Sequence, residues 1–299
     1  VTASPAATLG GFYALMTALA WAVAVILFRR SGETVSPVAL NFFKTALSMV
    51  LLAATLAVIG PTVPAGVTAQ QTALLLVSGF IGIGVADTLF FASLNILGAG
   101  RSAIVDCLYS PFIVGFAVLL LHERLATQDI AGGLLIVSAV FMTGNSAGGS
   151  AALLRTRLLG IAYGAAAMAA MGLAIVMVKP IIEAQPVLWV TTVRVAGGLA
   201  GLCLWLAFDA QRRQASLASL RPHAAWRFMV PGSILGTYVA MLLWVSGFKY
   251  TSASVASMLN QTSTILVVVL AAIFLRERLD RARITAALLA FAGSCLVLM

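Results

Sequence analysis

Charge is scarce in this chain. Only 9% of its 299 residues are Asp, Glu, Lys or Arg, whereas 62% are apolar. Soluble domains carry roughly 25% charged and 45–50% apolar residues, so a fold that covers itself in water is excluded. Histidine is nearly absent, with only His122 and His223 near the ends of apolar runs. That excludes a histidine-built metal centre, and no HExxH pair exists for a metalloprotease. The three cysteines, Cys107, Cys203 and Cys295, lie inside apolar runs at spacings that fit neither a metal site nor a disulfide framework. No G-x-x-x-x-G-K-[ST] loop occurs, which removes a P-loop nucleotide as an energy source. No other cofactor or metal is implied.

What fills the chain is apolar sequence in long blocks. Ten spans are expected, at about 9–28, 37–59, 70–95, 99–121, 128–146, 156–178, 186–208, 227–248, 252–275 and 282–299. About 20 such residues at 1.5 Å each cross a hydrocarbon core of about 30 Å. Pro37, Pro61, Pro64, Pro180, Pro186, Pro222 and Pro231 fall at or near span ends, where a missing amide costs little. The first run has neither a basic leader nor a small-residue cleavage site, so it is read as a span and not as a signal peptide. The net charge of +9 sits at span ends rather than in one patch, which points to membrane topology and away from nucleic acid.

The sequence repeats itself. At an offset of 154 residues Gly82 meets Gly236, Val85 meets Val239, Asp106 meets Asn260, and His122-Glu123-Arg124-Leu125 meets Arg276-Glu277-Arg278-Leu279. At an offset of 150, Leu9-Gly10 meets Leu159-Gly160, Tyr13 meets Tyr163, Glu33 meets Glu183 and Lys44 meets Arg194. The expected fold is therefore all-α and membrane-embedded, ten transmembrane helices as two repeats: residues 1–147 and 151–299, hinged at Gly148-Gly149-Ser150. An odd number of crossings per repeat inserts the two in opposite directions, a plan that places a substrate near the midplane.

Ten spans in two repeats, Lys44 and Arg194 in the second span of each half, and fourth spans closing on Leu121-His122-Glu123-Arg124-Leu125 and Leu275-Arg276-Glu277-Arg278-Leu279 resemble the EamA family of the drug/metabolite transporter superfamily. The resemblance covers nearly the whole chain. It implies export of small metabolites, is similar to that of YddG-type exporters of aromatic and other amino acids, and implies a cavity lined mainly by the third, fourth, eighth and ninth spans. Sugars, nucleobases and multidrug cations are alternative cargoes within the superfamily.

Four ionisable residues, Lys44, Asp87, Asp106 and Arg194, sit well inside spans. Each costs roughly 2.5–3.5 kcal/mol at a helix centre on insertion scales, and such groups face a bundle interior or a wet cavity. By residue count Lys44, Asp87 and Asp106 share a layer roughly 10–12 Å from one face. Arg194 and Asn260 lie in a matching layer near the other. Lys44 is expected to take one aspartate as partner, as a helix lock if that is Asp106. The remaining carboxylate would receive an ammonium group or carry a proton, while Arg194 would clamp a carboxylate or phosphate. Tyr109 shares a face with Asp106, and Gln261 adjoins Asn260, which shares its own face with Ser263 and Thr264. In span eight Tyr238, Met241, Trp244 and Phe248 form a stripe; Trp21 sits mid-span, an odd depth for a belt tryptophan. The candidate substrate-binding residues are thus Trp21, Lys44, Asp87, Asp106, Tyr109, Arg194, Tyr238, Trp244, Asn260 and Gln261.

Small residues at Gly98, Ala99, Gly100, Ser102 and Ala103, and at Ser252, Ala253, Ser254, Ala256 and Ser257, suit close helix crossings. Gly82 and Gly84 would admit a close neighbour beside Asp87. Pro111 is expected to kink the fourth span, whereas its counterpart Ile265 is not. Loops after spans one, three, five, seven and nine hold thirteen arginines, against three basic residues in the opposite set. The positive-inside rule then places both termini outside; the family resemblance places them inside, and basic residues beyond the ends of the sequence would reconcile the two. The expected setting is a bacterial inner membrane, with a small-molecule substrate, lipid and candidate coupling protons as partners; a monomer is compatible with the sequence. Val85-Ala86-Asp87 and Val105-Asp106-Cys107 lack the glycine-flanked setting of an intramembrane aspartyl protease, so no enzyme is expected, and no filter sequence marks a channel.

Overall fold

The computed structural model describes residues 5–60, 64, 66–121, 127–144, 151–251, 256, 259–277 and 280–297. Among these residues there are helices and no strands. Each helix takes the ordinal of the expected span it overlaps. The first is Pro5–Ser31, the second Pro37–Ile59 and the third Ala69–Leu97. The fourth comes in two pieces, Ala99–Asp106 and Tyr109–Leu121, and the fifth is Thr127–Gly144. The sixth is Ala151–Val176, the seventh Val187–Phe208 and the eighth Trp226–Tyr250. The ninth is Thr262–Phe274 and the tenth Arg281–Val297. Short helices Lys179–Ala184 and Ala210–Ser219 flank the seventh.

Seven of these helices, 22 to 29 residues each, are long and apolar enough to cross a membrane; at 1.5 Å per residue they reach about 33–44 Å. The fifth, ninth and tenth are shorter among the described residues. The outward surface carries Val58, Phe208, Phe141 and Leu119 at 88, 85, 72 and 70% exposure, a surface that suits acyl chains and not water. The expected hinge at 148–150, the His122-Glu123-Arg124-Leu125 motif and the serines of 252–254 and 257 lie outside the described residues.

Local sequence explains the helix ends. Ser36 caps the second helix by accepting from the Ala39 amide at 3.4 Å, with Pro37 at the first helical position. Thr68 and Gln71 form a reciprocal capping box at the start of the third. Between the third and fourth helices Gly98 adopts φ +81°, and a Cβ there would meet a Glu277 carboxylate oxygen at 2.7 Å. Glu277 accepts from the Ala99 and Gly100 amides at 2.8 and 3.2 Å and from Arg283 at 3.4 Å, tying the start of the fourth helix to the segment before the tenth.

Two stretches depart from α-helix. Phe80–Ala86 and Ile234–Val239 are π-helical, and their starts are 154 residues apart, the repeat offset. An inserted residue frees backbone carbonyls. In the third helix Asn41 Nδ2 donates to the carbonyls of Ile83 and Gly84 at 2.7 and 3.1 Å, and Thr88 donates to Gly84 at 2.7 Å. The turn that presents Asp87 is thereby fixed.

Packing partners come in exchanged pairs. The first helix packs on the eighth as the sixth packs on the third, and the first meets the ninth as the sixth meets the fourth. The second meets the seventh, the fourth the ninth, and the fifth the tenth. The third and seventh helices touch backbone to backbone: a Cβ on Gly79 would collide with the Arg194 carbonyl, and one on Gly197 with that of Leu76. Gly79→Ala is accordingly expected to lower stability by about 1–3 kcal/mol through overpacking, seen as a lower melting temperature in detergent; an unchanged melt would mean that the two backbones can part freely. Gly82 and Gly84 do admit close neighbours, with Ala174 Cβ and the Gly198 carbonyl at 3.0 and 3.5 Å from their virtual Cβ atoms.

The fourth helix breaks as expected near Pro111, at a turn over Cys107 and Leu108. Its counterpart also breaks, at Gln261, against the expectation that a chain without proline would run straight. The reason is side-chain bonding: Thr262 Oγ1 donates to the Leu259 carbonyl at 2.6 Å, and Gln261 Nε2 donates to Ser110 at 3.0 Å.

Candidate functional site

A cavity of about 170 Å³ lies among the helices, room for on the order of ten waters when one needs roughly 10–15 Å³. Lys44, Asp87, Asp106 and Arg194 all border it, as do Trp21, Tyr109, Trp244, Asn260 and Gln261. It touches both main apolar clusters. Trp21 packs against the one that holds Phe28, Phe90, Phe91 and Met229, Trp244 against the one that holds Leu75, Trp189 and Phe248, and Tyr109 against both.

Lys44 Nζ and Asp87 Oδ2 are 2.6 Å apart, with both side chains buried. The ammonium also faces the Phe91 ring at 5.7 Å. Lysine thus takes Asp87, not Asp106, because the π-turn held by Asn41 carries Asp87 toward the second helix. Asp106 is left half-buried at the cavity without an ion pair among the described residues.

Arg194 is 1% exposed. Its Nε donates to Ser78 Oγ at 3.1 Å, and Ser78 donates in turn to the Ala174 carbonyl at 2.6 Å. One serine therefore joins the third, sixth and seventh helices behind the guanidinium. The guanidinium carbon lies 5.5 Å from the centre of the Trp244 ring, within cation–π range. Both terminal nitrogens, Nη1 and Nη2, are buried and have no hydrogen-bond partner among the described residues. The Tyr109 hydroxyl and Asn260 Oδ1 are in the same condition. Unmet buried donors cost about 1–3 kcal/mol each, more when charged, and the guanidinium presents a planar pair of donors whose geometry matches a carboxylate or phosphate.

The remaining candidates divide. Gln261 is engaged with Ser110 at 3.0 Å and with Cys107 at 3.7 Å, while Cys107 meets Thr264 at 3.4 Å. Shifting by 154 turns 107 into 261 and 110 into 264, so these contacts are exchanged copies of each other, and Gln261 spends its amide joining the fourth and ninth helices. Tyr238 does not border the cavity. Its hydroxyl shares a 2.6 Å hydrogen bond with Thr55, and its ring packs beside Leu52, Ile83 and Val195. Met241 packs on that same cluster and still lines the cavity, as do Thr237 and Trp244.

Thr17, Met168, Met171 and Thr237 also line the wall and were not anticipated. Thr17 lies one helical turn before Trp21, and Met168 and Met171 are three apart in an otherwise small-residue run, so helical spacing carried a signal. Ser78 gave none, since a lone serine in an apolar span is unremarkable. Ser78→Ala is expected to lower stability by about 1–3 kcal/mol, because it leaves the buried Arg194 Nε without a partner, read as a lower melting temperature in detergent. An unchanged melt would show that Trp244 alone holds the guanidinium.

Comparison with known proteins agrees with this architecture. The model of the EamA-like transporter family matches residues 8–145 and 158–299. An uncharacterized transporter of Archaeoglobus fulgidus is 24% identical over 270 residues, covering 89% of each chain. The crystal structure of a protein 20% identical in sequence superposes with a TM-score of 0.64 over 98% of this chain and 96% of its own, a likeness of fold alone. With its family matched on both halves and seven helices long and apolar enough to cross a membrane, the chain belongs to the EamA-like transporter family and is an integral membrane transporter.

Proposed function

We propose that the protein is a secondary exporter of small zwitterionic metabolites, amino acids with apolar or aromatic side chains first among them. The observation that carries the reading is the state of the charges around the cavity. Lys44 and Asp87 satisfy each other, Arg194 offers two unmet donors, and Asp106 is an acid without an ion pair among the described residues. A carboxylate matches the arginine fork and an ammonium matches Asp106. Trp21, Met168, Met171 and Met241 supply an apolar wall for a side chain.

The mechanism in this reading is alternating access between two oppositely inserted five-helix halves. Support comes from the two family matches, the paired π-turns and the exchanged contacts of 107 with 264 and 110 with 261. Asp106 is the candidate proton carrier, a role that suits an unpaired intramembrane acid, and a bacterial plasma membrane is the proposed location.

The test loads proteoliposomes with a panel of labelled amino acids, sugars, nucleobases and organic cations and follows their release. Saturable, counterflow-competent release of amino acids, lost in Asp106→Asn, is the expected result. Release of cations or sugars in preference to amino acids would assign a different cargo, and an unsaturable current would indicate a channel.

A further inference from the structure

The connection between the seventh and eighth helices contains a surface that the transport site does not use. Ala210–Ser219 is a ten-residue helix, too short and too polar to span a bilayer, and Asp209 caps it by accepting from the Arg212 amide at 2.9 Å. Its inner face is fixed to the protein. Ser216 and Ser219 are buried, Trp226 Nε1 donates to the Ser219 carbonyl at 3.0 Å, and the Ser219 hydroxyl, which donates to the Ser216 carbonyl at 2.6 Å, lies 3.5 Å from the Ala39 carbonyl. These contacts seat the helix against the second helix and the start of the eighth.

Its outer face combines two features that water does not favour together. Leu217 and Leu220 are 51 and 40% exposed, and Leu204 and Phe208 at the end of the seventh helix are 61 and 85% exposed. Arg212, Arg213, Arg221 and Arg227 all lie between 209 and 227, where Asp209 is the single acid. Arg212 is held by Asp209 at 2.9 Å and stacks on Trp205 at 5.4 Å, and Arg227 lies on Phe228 at 4.7 Å. Arg213 and Arg221 are exposed and make no ion pair among the described residues. Apolar side chains beside unneutralised arginines fit the boundary between acyl chains and headgroups, and the excess of positive charge selects headgroups that are negative.

We propose that this segment is a docking surface for anionic phospholipid headgroups, with Arg213 and Arg221 taking the phosphate and Leu217, Leu220 and Phe208 seated in the acyl boundary. Trp205, 38% exposed beneath Arg212, is a reporter already in place. The full-length protein would be reconstituted in phosphatidylcholine vesicles containing phosphatidylglycerol, with bromine on the chains of one lipid or the other. The quenching specific to Trp205 is obtained by difference from Trp205→Phe. Brominated phosphatidylglycerol is expected to quench at least about fivefold more effectively per mole than brominated phosphatidylcholine, since each of the two unneutralised arginines supplies about that preference near a charged surface. The preference should fall toward equality in Arg213→Gln/Arg221→Gln, and in the unmutated protein at high salt, because exposed charges are screened there. Equal quenching by the two lipids, or a preference that neither the substitutions nor salt reduce, would overturn the assignment.

Discussion

Arg194→Gln is expected to weaken binding of an amino-acid substrate by about 100-fold or more while the protein still folds. Each hydrogen bond to a charged group contributes roughly 1.5–3 kcal/mol, and the fork loses two. Glutamine keeps much of the length and polarity of the side chain, so the expected loss is one of recognition and not of architecture. Arg194→Lys is expected to recover little, since an ammonium offers neither a planar pair of donors nor the flat face that lies on Trp244 at 5.5 Å. Half-saturation in counterflow, measured beside a detergent melting curve, separates the two effects. A melt that drops with binding intact would make Arg194 a strut between the third and seventh helices.

Asp87→Asn alone is expected to be the most destabilising single change at the cavity, by about 3–5 kcal/mol, because it strands the Lys44 ammonium in a buried site. The combination Lys44→Met/Asp87→Leu removes both charges together and should restore most of that loss, as apolar replacements of buried pairs commonly do. A double-mutant cycle on melting temperature gives the coupling directly. Additive losses would mean that the 2.6 Å contact does not hold in the membrane. Whether the apolar pair still transports then tells whether the ion pair is only scaffold.

The charges were legible in sequence because lipid makes them so. A lysine, an arginine and two aspartates in apolar spans have few places to go except a shared interior, and Lys44, Asp87, Asp106 and Arg194 all reach the same cavity. Which aspartate pairs with Lys44 was not legible. Residue counts gave Asp87 and Asp106 the same depth, and the choice is made by Asn41 and the π-turn it supports. Spacing alone grouped Tyr238 with Met241 and Trp244, whereas its hydroxyl pairs with Thr55 and its neighbour Thr237 lines the cavity. Ser78 and Gly79 stayed invisible for another reason: their importance is that something else passes close by, and a single sequence does not carry that. The offset of 154, by contrast, was visible in sequence, and the starts of the two π-turns and the Gln261 to Ser110 and Cys107 to Thr264 contacts are spaced by it.

The central claim is that one molecule satisfies Arg194 and Asp106 together. Its most direct test is competition for binding to the purified, lipid-reconstituted protein by three compounds of one carbon skeleton: an apolar amino acid, its carboxamide and its deaminated acid. The intact zwitterion should displace a labelled amino acid, and each derivative should be weaker by about tenfold or more, the value of one charge-assisted contact. Equal displacement by all three would contradict the account.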